Sequence, residues 1–318
     1  MNTEKKVYIA RSHCDLLKDI LRDNSIEVLE QKGPYNEDYL KVCHALVPGK
    51  IPVTAELIDK MSNLKIISKF GVGVDRIDIP ECTKMSIYVC NTPQSNLISV
   101  AEHTIALMLM ATRKIYPFTL RLRSETLDWA GAIKIKGIEL YGKTLSIIGL
   151  GNIGRRVARL AYGFEMNIIG YDPYADRAAL PEYVSLCDTM EEALTAGDFV
   201  SLHVAGTDKT RNMIDAEQLA QMKKTAIIIN TTRGFVVNEA ALIAALNDGV
   251  IAGAALDVFN DEPISADNPL LKMENVAMTP HRAAYTEEAW LRSQVQTAEN
   301  IIGLFNGNIP KTAINGPF

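Results

Sequence analysis

The chain has 318 residues, with Lys+Arg at 33 against Asp+Glu at 38 for a formal charge of −5, and 47% of the residues are hydrophobic. At about 150 residues per domain this length predicts roughly two domains, each able to bury a sizeable core. The balanced charge and ordinary apolar content exclude a disordered chain and a nucleic-acid binder that works through bulk positive charge.

Cys14, Cys43, Cys82, Cys90 and Cys187 form no CxxC pair. They read as reduced thiols rather than a disulfide framework or a metal site, and so point to the cytoplasm. Residues 1–6 are polar and carry no secretory signal. The longest apolar run by a helical segment, residues 105–111, is far short of the about 20 residues that cross a bilayer.

In chain order, short β-branched runs at residues 7–10, 26–29, 45–47, 65–70 and 87–89 predict strands, with helical periodicity at 14–22 and 54–61 between them. Strands alternating with helices imply a mainly parallel sheet covered on both faces. Residues 100–114 predict one long, mostly apolar helix. A less regular segment then runs to Gly142, carrying Arg121, Arg123, Trp129 and Lys134, and a break of that length inside a compact domain points to an inter-domain or inter-subunit excursion. The rhythm restarts with strands at 145–148, 168–171, 199–202, 226–229, 254–257 and 276–278, the set a doubly wound dinucleotide-binding domain requires, and a last helix covers 286–305.

Gly149-Leu150-Gly151-Asn152-Ile153-Gly154 matches G-x-G-x-x-G after a strand and at the opening of a helix. Gly149, Gly151 and Gly154 allow a tight turn, close approach of a pyrophosphate and close helix packing, while the helix start at Asn152 and Ile153 offers free N–H groups. Asp172 ends the next strand, where a carboxylate accepts hydrogen bonds from the adenosine ribose and repels a 2′-phosphate. NAD is favoured over NADP, with Arg177, five residues on, as the opposing charge.

Three polar residues stand at or just beyond predicted strand ends, where open α/β sheets bind ligands: Arg233, Glu262 and His281. Each alone reads as a solvated cation, a turn residue or a cap. Together beside a nucleotide fold they suit hydride transfer to a 2-keto acid, which needs a cation on the carboxylate and carbonyl and an acid for the developing alkoxide.

Beyond those features, the segments Gly71-Val72-Gly73-Val74-Asp75, Asn91-Thr92-Pro93, Val100-Ala101-Glu102-His103, Tyr171-Asp172-Pro173, Asn230 through Gly234, Ala255 through Pro263 and Thr279-Pro280-His281 are similar to those of the D-isomer-specific 2-hydroxyacid dehydrogenases, over nearly the whole chain. The resemblance is to the phosphoglycerate dehydrogenase-like, short form. It implies two doubly wound parallel-sheet α/β domains: a Rossmann NAD domain, 99–285, inserted in a flavodoxin-like substrate domain, 1–98 plus 286–318. Cleft closure would exclude water.

The same resemblance implies that Arg233 holds the substrate carboxylate and carbonyl, that His281 is the general acid/base, and that Glu262 hydrogen-bonds the imidazole and favours its protonated form. It implies that the amides near Val72 and Gly73 cradle the carboxylate. Asp257 would hold the nicotinamide carboxamide, and Val204 and Thr231 would border the cofactor. The excursion to Gly142 would pack on a second subunit, giving a homodimer. The expected function is NAD-dependent transfer of hydride between nicotinamide and C2 of a small 2-keto acid or D-2-hydroxy acid, of phosphoglycerate, hydroxypyruvate, glyoxylate or lactate type. The alternative is a non-catalytic NAD-sensing protein of the same fold. At 318 residues no appended regulatory domain is expected. Neither a metal, a nucleic acid nor a membrane is expected as partner.

His103 and His203 read as packing or cofactor-edge residues. Relatives usually have Pro-Leu where this chain has Ala205-Gly206, which puts the rigidity of that cofactor loop in question. Lys69 stands where phosphoglycerate-handling relatives often carry Arg; it reads either as a point charge for a phosphate or as a solvated lysine. The substrate side chain would be read by loops around Lys50, Lys69 and Asn96 and by the tail after Gly307.

Overall fold

The computed structural model describes residues 5–31, 33–49 and 51–318. Lys50 and the first four residues, which the sequence reading touches, lie outside the described residues. The chain divides into two compact units, one made of the residues up to Asn96 together with Tyr285–Phe318, the other of Leu97–Ala284.

In the first unit, strands β1 (Lys6–Ile9), β2 (Glu27–Glu30), β3 (Ala45–Val47), β4 (Ile66–Ser68) and β5 (Tyr88–Cys90) form a sheet in the order β2-β1-β3-β4-β5. Every pairing is parallel. Alternate residues supply the two faces: Val7, Ile9, Val47 and Ile66 pack with Ala298 and Ile301 of the last helix, while Tyr8, Leu46, Ile67 and Val89 face the other core. That helix, Glu287–Phe305, begins on Thr286, whose hydroxyl accepts the Ala289 amide at 3.1 Å. The tail then lies along β5, where Ile314 N donates to Val89 O at 2.8 Å and the Asn315 side chain accepts the Val89 amide at 2.7 Å. The edge of β5 is thereby covered.

In the second unit, β6 (Thr144–Ile148), β7 (Asn167–Tyr171), β8 (Val184–Leu186), β9 (Phe199–Leu202), β10 (Ile227–Asn230), β11 (Gly253–Leu256) and β12 (Val276–Met278) form an all-parallel sheet ordered β12-β11-β10-β9-β6-β7-β8. The order reverses at β6, which creates the crevice at its carboxyl end that binds dinucleotides in such sheets. The two α/β parallel sheets are the fold class expected. The sheet nevertheless has seven strands where six were expected, because β8 is a three-residue edge strand in which only Val184 is buried. The helix expected over 100–114 runs Leu97–Thr112 and packs its Ala101, Ile105, Leu107 and Met108 into the core of this unit. The segment expected to be irregular contains two helices, Ile115–Arg123 and Trp129–Ala132, neither of which buries a residue.

Candidate active site

The glycine turn is built by close contacts. Gly149 follows β6 at φ 99°, and a Cβ there would stand 2.7 Å from the carbonyl of His203 at the end of β9. Gly154, in the helix Asn152–Tyr162, approaches so closely that a Cβ would meet Gly149 O at 2.1 Å. A Cβ on Gly151 would meet nothing within 4 Å, so the space over the helix start is open, and Gly151 caps that helix with no side-chain hydrogen bond. The unpaired N–H groups of Asn152 and Ile153 and their partial positive charge fit a pyrophosphate.

Asp172 closes this turn from β7. Its Oδ2 accepts the Leu150 amide and its Oδ1 the Tyr174 amide, both at 2.9 Å, which leaves each oxygen a lone pair for a ribose hydroxyl. Arg177 is occupied elsewhere, donating to Asp188 Oδ1 at 3.0 Å and Leu186 O at 3.2 Å. Val204 follows His203, with its amide against Gly149, and Thr231 follows β10, its hydroxyl 3.2 Å from that of Thr104. The residues present therefore fit NAD.

Glu262 and His281 are brought together: His281 Nδ1 donates to Glu262 Oε2 at 2.7 Å, and the other carboxylate oxygen accepts the Phe259 amide at 3.3 Å. Burial raises the Glu262 carboxyl, but the hydrogen bond and charge of His281, the Phe259 amide and the Arg233 charge hold it below the ordinary carboxylate range. An ionised acceptor at Nδ1 fixes the imidazole tautomer, so Nε2 is the nitrogen left to exchange a proton. His281 itself sits at φ 55°, a left-handed conformation that a side chain makes unfavourable by roughly 1–2 kcal/mol.

Arg233 is shaped by its own turn. Asn230, which ends β10 buried, accepts from the amide and hydroxyl of Thr232 at 3.0 and 2.9 Å and donates to Arg233 O at 2.9 Å. The guanidinium Nη1 donates to Thr232 O at 2.8 Å. Gly206 lies against this arginine: a Cβ there would stand 2.6 Å from Arg233 Cγ and 3.0 Å from Phe235 Cζ. The Ala205-Gly206 loop is also braced, since Thr210 Oγ1 donates to Ala205 O at 2.7 Å and Arg211 stacks on the Phe235 ring at 4.6 Å.

Asp257 is wholly buried. Its Oδ1 accepts from the Thr279 hydroxyl at 2.5 Å and the Arg282 amide at 2.7 Å, and its Oδ2 accepts the Ala283 amide at 2.8 Å. Burial raises this carboxyl, but its hydrogen bonds to His103, Thr279 and the two amides hold it below the usual range. Sequence reasoning missed Thr279, while His103 takes the structural role expected of it. Thr279 Oγ1 lies 2.8 Å from His103 Nε2, so the histidine of the Leu97–Thr112 helix braces the segment that carries His281. His203 is a packing residue: its Nε2 shares a hydrogen bond with Ser201 Oγ at 2.8 Å, and burial pushes it down to about 3.

In the first unit, the loop Gly71-Val72-Gly73 is fastened by Thr92, whose hydroxyl accepts the Gly71 amide at 2.6 Å, and by Asn91, whose side chain donates to Val72 O at 2.9 Å. The amides of Val72 and Gly73 reach no acceptor among the described residues. Lys69 Nζ turns to Phe70 O at 3.3 Å. Among the described residues no group of three His, Cys, Asp or Glu side chains could hold a metal, and no helix is long and apolar enough to cross a membrane.

Residues 105–283 match the family model described as D-isomer specific 2-hydroxyacid dehydrogenase, NAD binding domain. The chain is 43% identical over 314 residues to the D-3-phosphoglycerate dehydrogenase of Methanocaldococcus jannaschii, covering 95% of this chain but 59% of that protein. It is 42% identical over 284 residues to the glyoxylate reductase of Korarchaeum cryptofilum, covering 87% of this chain and 84% of that one. The crystal structure of a glyoxylate reductase from Paecilomyes thermophila superposes with a TM-score of 0.90 at 28% identity, over 99% of both chains.

Proposed function

Because the chain belongs to the D-isomer-specific 2-hydroxyacid dehydrogenase family, we propose that it is an NAD-dependent enzyme acting between a small 2-keto acid and the corresponding D-2-hydroxy acid. The observation that carries this reading is the 2.7 Å bond between Glu262 and His281 Nδ1, which leaves Nε2 as a proton donor. NAD(H), when bound over the glycine turn, supplies or takes the hydride. His281 Nε2 gives its proton to the carbonyl oxygen as C2 is reduced, and takes it back in oxidation. Glu262 keeps its negative charge beside the imidazolium and so lowers the cost of that form. Arg233 binds the substrate carboxylate and draws charge onto the carbonyl oxygen.

The first unit is assigned to substrate, with the unpaired amides of Val72 and Gly73 as the carboxylate cradle, and the second, Leu97–Ala284, to the cofactor. Val204 and Thr231 stand at the cofactor's edge, while Asp257, wholly buried on its bonds to Thr279, Arg282 and Ala283, is assigned to holding the His281 segment rather than the nicotinamide carboxamide expected of it. The paired Glu262 and His281 give no support to a non-catalytic reading. A homodimer is supported by the apolar side chains standing out of the segment after the Leu97–Thr112 helix: Trp129 is 71% exposed, Ile133 81% and Tyr141 67%. A cytoplasmic location rests on the five unpaired thiols.

The test is NADH oxidation by the purified protein with glyoxylate, pyruvate, hydroxypyruvate and 3-phosphohydroxypyruvate. Turnover that His281→Ala abolishes while NADH binding persists is the expected result. A folded protein that turns over none of them overturns the reading.

A further inference from the structure

We propose that Arg11, lying over the rings of both Phe70 and Trp290 in the first unit, is a recognition site for a second anionic group, so that the preferred substrates are 2-keto acids whose far end carries a carboxylate or phosphate. This assignment rests on the reductase reading and narrows its substrate class.

The Arg11 guanidinium lies 4.1 Å from the centroid of the Phe70 ring and 4.8 Å from that of Trp290, and the two rings meet edge-on with centroids 5.4 Å apart. Trp290 is pinned in turn, its Nε1 donating to His13 O at 2.6 Å. Two aromatic faces thus hold the cation in one orientation. What the described residues do not supply is an anion. Among the described residues no carboxylate stands within ion-pair distance of Arg11, and its guanidinium donates to no protein acceptor. Its Nε is closed off from water with no partner, while the two terminal nitrogens are not closed off. A partly desolvated cation with unpaired donors is unfavourable, and an anion on the outward edge offsets that by a bidentate pair.

The position fits a substrate site. Arg11 lies two residues past the end of β1, next to the point where the sheet order reverses between β1 and β3, the place where such sheets bind ligands. Phe70 directly precedes Gly71, the start of the loop whose Val72 and Gly73 amides are unpaired. A cation fixed by one end of that loop and free amides at the other suit the two ends of a small dianion.

The experiment compares wild type, R11Q and R11K. With NADH, kcat/KM is measured for oxaloacetate and 3-phosphohydroxypyruvate against pyruvate, which has no second charge; the oxaloacetate and phosphorylated arms separate a carboxylate from a phosphate preference. Wild type is expected to favour one charged substrate by at least about 30-fold, R11Q to lose most of that preference through KM, and R11K, which keeps the charge without the fork, to fall between. A second readout needs no turnover: tryptophan emission is titrated with D-malate, D-3-phosphoglycerate and glycolate. Saturation by one of the dianions but not by glycolate, absent in R11Q, supports the site even if no keto acid is reduced, an outcome that overturns only the reductase reading. Equal losses on charged and uncharged substrates, together with lowered melting temperatures in both variants, make Arg11 a packing residue and overturn the proposal. So does an R11Q protein whose substrate preference and titrations match wild type.

Discussion

Asp257 grips the segment of His281 through both its backbone and its side chain: its carbonyl accepts the His281 amide at 2.7 Å, and its carboxylate accepts the following amides of Arg282 and Ala283 at 2.7 and 2.8 Å. These bonds hold His281 at its unfavourable φ of 55°. His281 is therefore positioned by a buried charge whose role is separate from the hydrogen bond that its Nδ1 donates to Glu262.

Asp257→Asn tests that dependence. The amide cannot reproduce the charged acceptor, and with each hydrogen bond to an ionised group contributing about 1.5–3 kcal/mol, the melting temperature is expected to fall by several degrees at neutral pH. The pH dependence has a definite sign. The folded-state carboxyl is held below its ordinary value of 3.8, so its contribution is complete above that value and withdraws as pH falls through the folded one. Melting temperature measured from pH 6 down to pH 3 should fall more steeply for wild type than for the variant. Parallel curves would contradict the argument.

Glu262→Gln separates charge from hydrogen bonding. Glu262 Oε2 accepts the hydrogen bond from His281 Nδ1 at 2.7 Å, and the His281 charge helps to hold the Glu262 carboxyl low. Removing the Glu262 charge is expected to move the limb of the kcat/KM profile for keto-acid reduction toward lower pH by about one unit, with kcat reduced by about 10-fold or more. A stopped-flow or steady-state pH series checks this; an unmoved limb shows that the carboxylate does not act on the proton donor.

Asp172 is expected to govern cofactor choice. Its oxygens hold the Leu150 and Tyr174 amides and face the expected ribose, while Arg177, the nearby cation that would welcome a 2′-phosphate, is engaged by Asp188. Asp172→Ala should lower kcat/KM with NADH by about 10-fold and narrow the gap between NADH and NADPH, because the repulsion of the phosphate goes with the carboxylate. Parallel kinetics with the two cofactors measure it, and an unchanged ratio removes Asp172 from that role.

What the sequence made legible follows from locality. Gly149 to Gly154 and Asp172 lie within one β-α-β unit, so strand, turn, helix start and acid can be read along the chain, and the β-branched runs mark both buried parallel sheets. β8 escaped because three residues at a sheet edge give too little pattern, with Ser185 exposed between Val184 and Leu186. The Ile115–Arg123 helix escaped because it buries no residue and so has no apolar stripe aimed at a core. The link from His103 through Thr279 to Asp257 joins three distant segments, and only the packing of the long helix beside β11 and β12 brings them together. The same holds for Arg11, Phe70 and Trp290, which no spacing rule connects.

Gly206 leaves no room for a side chain beside Arg233 and Phe235: a Cβ there would stand 2.6 Å from Arg233 Cγ and 3.0 Å from Phe235 Cζ. Phe235, stacked under Arg211 and tied through its carbonyl to the Asn212 amide at 2.8 Å, fills the space beside Gly206 that a larger residue would need. Gly206→Leu would drive a Cβ to 2.6 Å from Arg233 Cγ and 3.0 Å from Phe235 Cζ, so the arginine stem must shift. The expected result is a loss of about 100-fold in kcat/KM for keto acids with little change in NADH binding, since a small displacement of a substrate-orienting group is enough for such a loss. Adding Phe235→Ala makes room, so the double variant should recover about 10-fold relative to Gly206→Leu alone, while Phe235→Ala by itself gains nothing. Steady-state kinetics on the four proteins close the cycle. Strictly additive losses would show that the glycine and the phenylalanine do not share one space around Arg233.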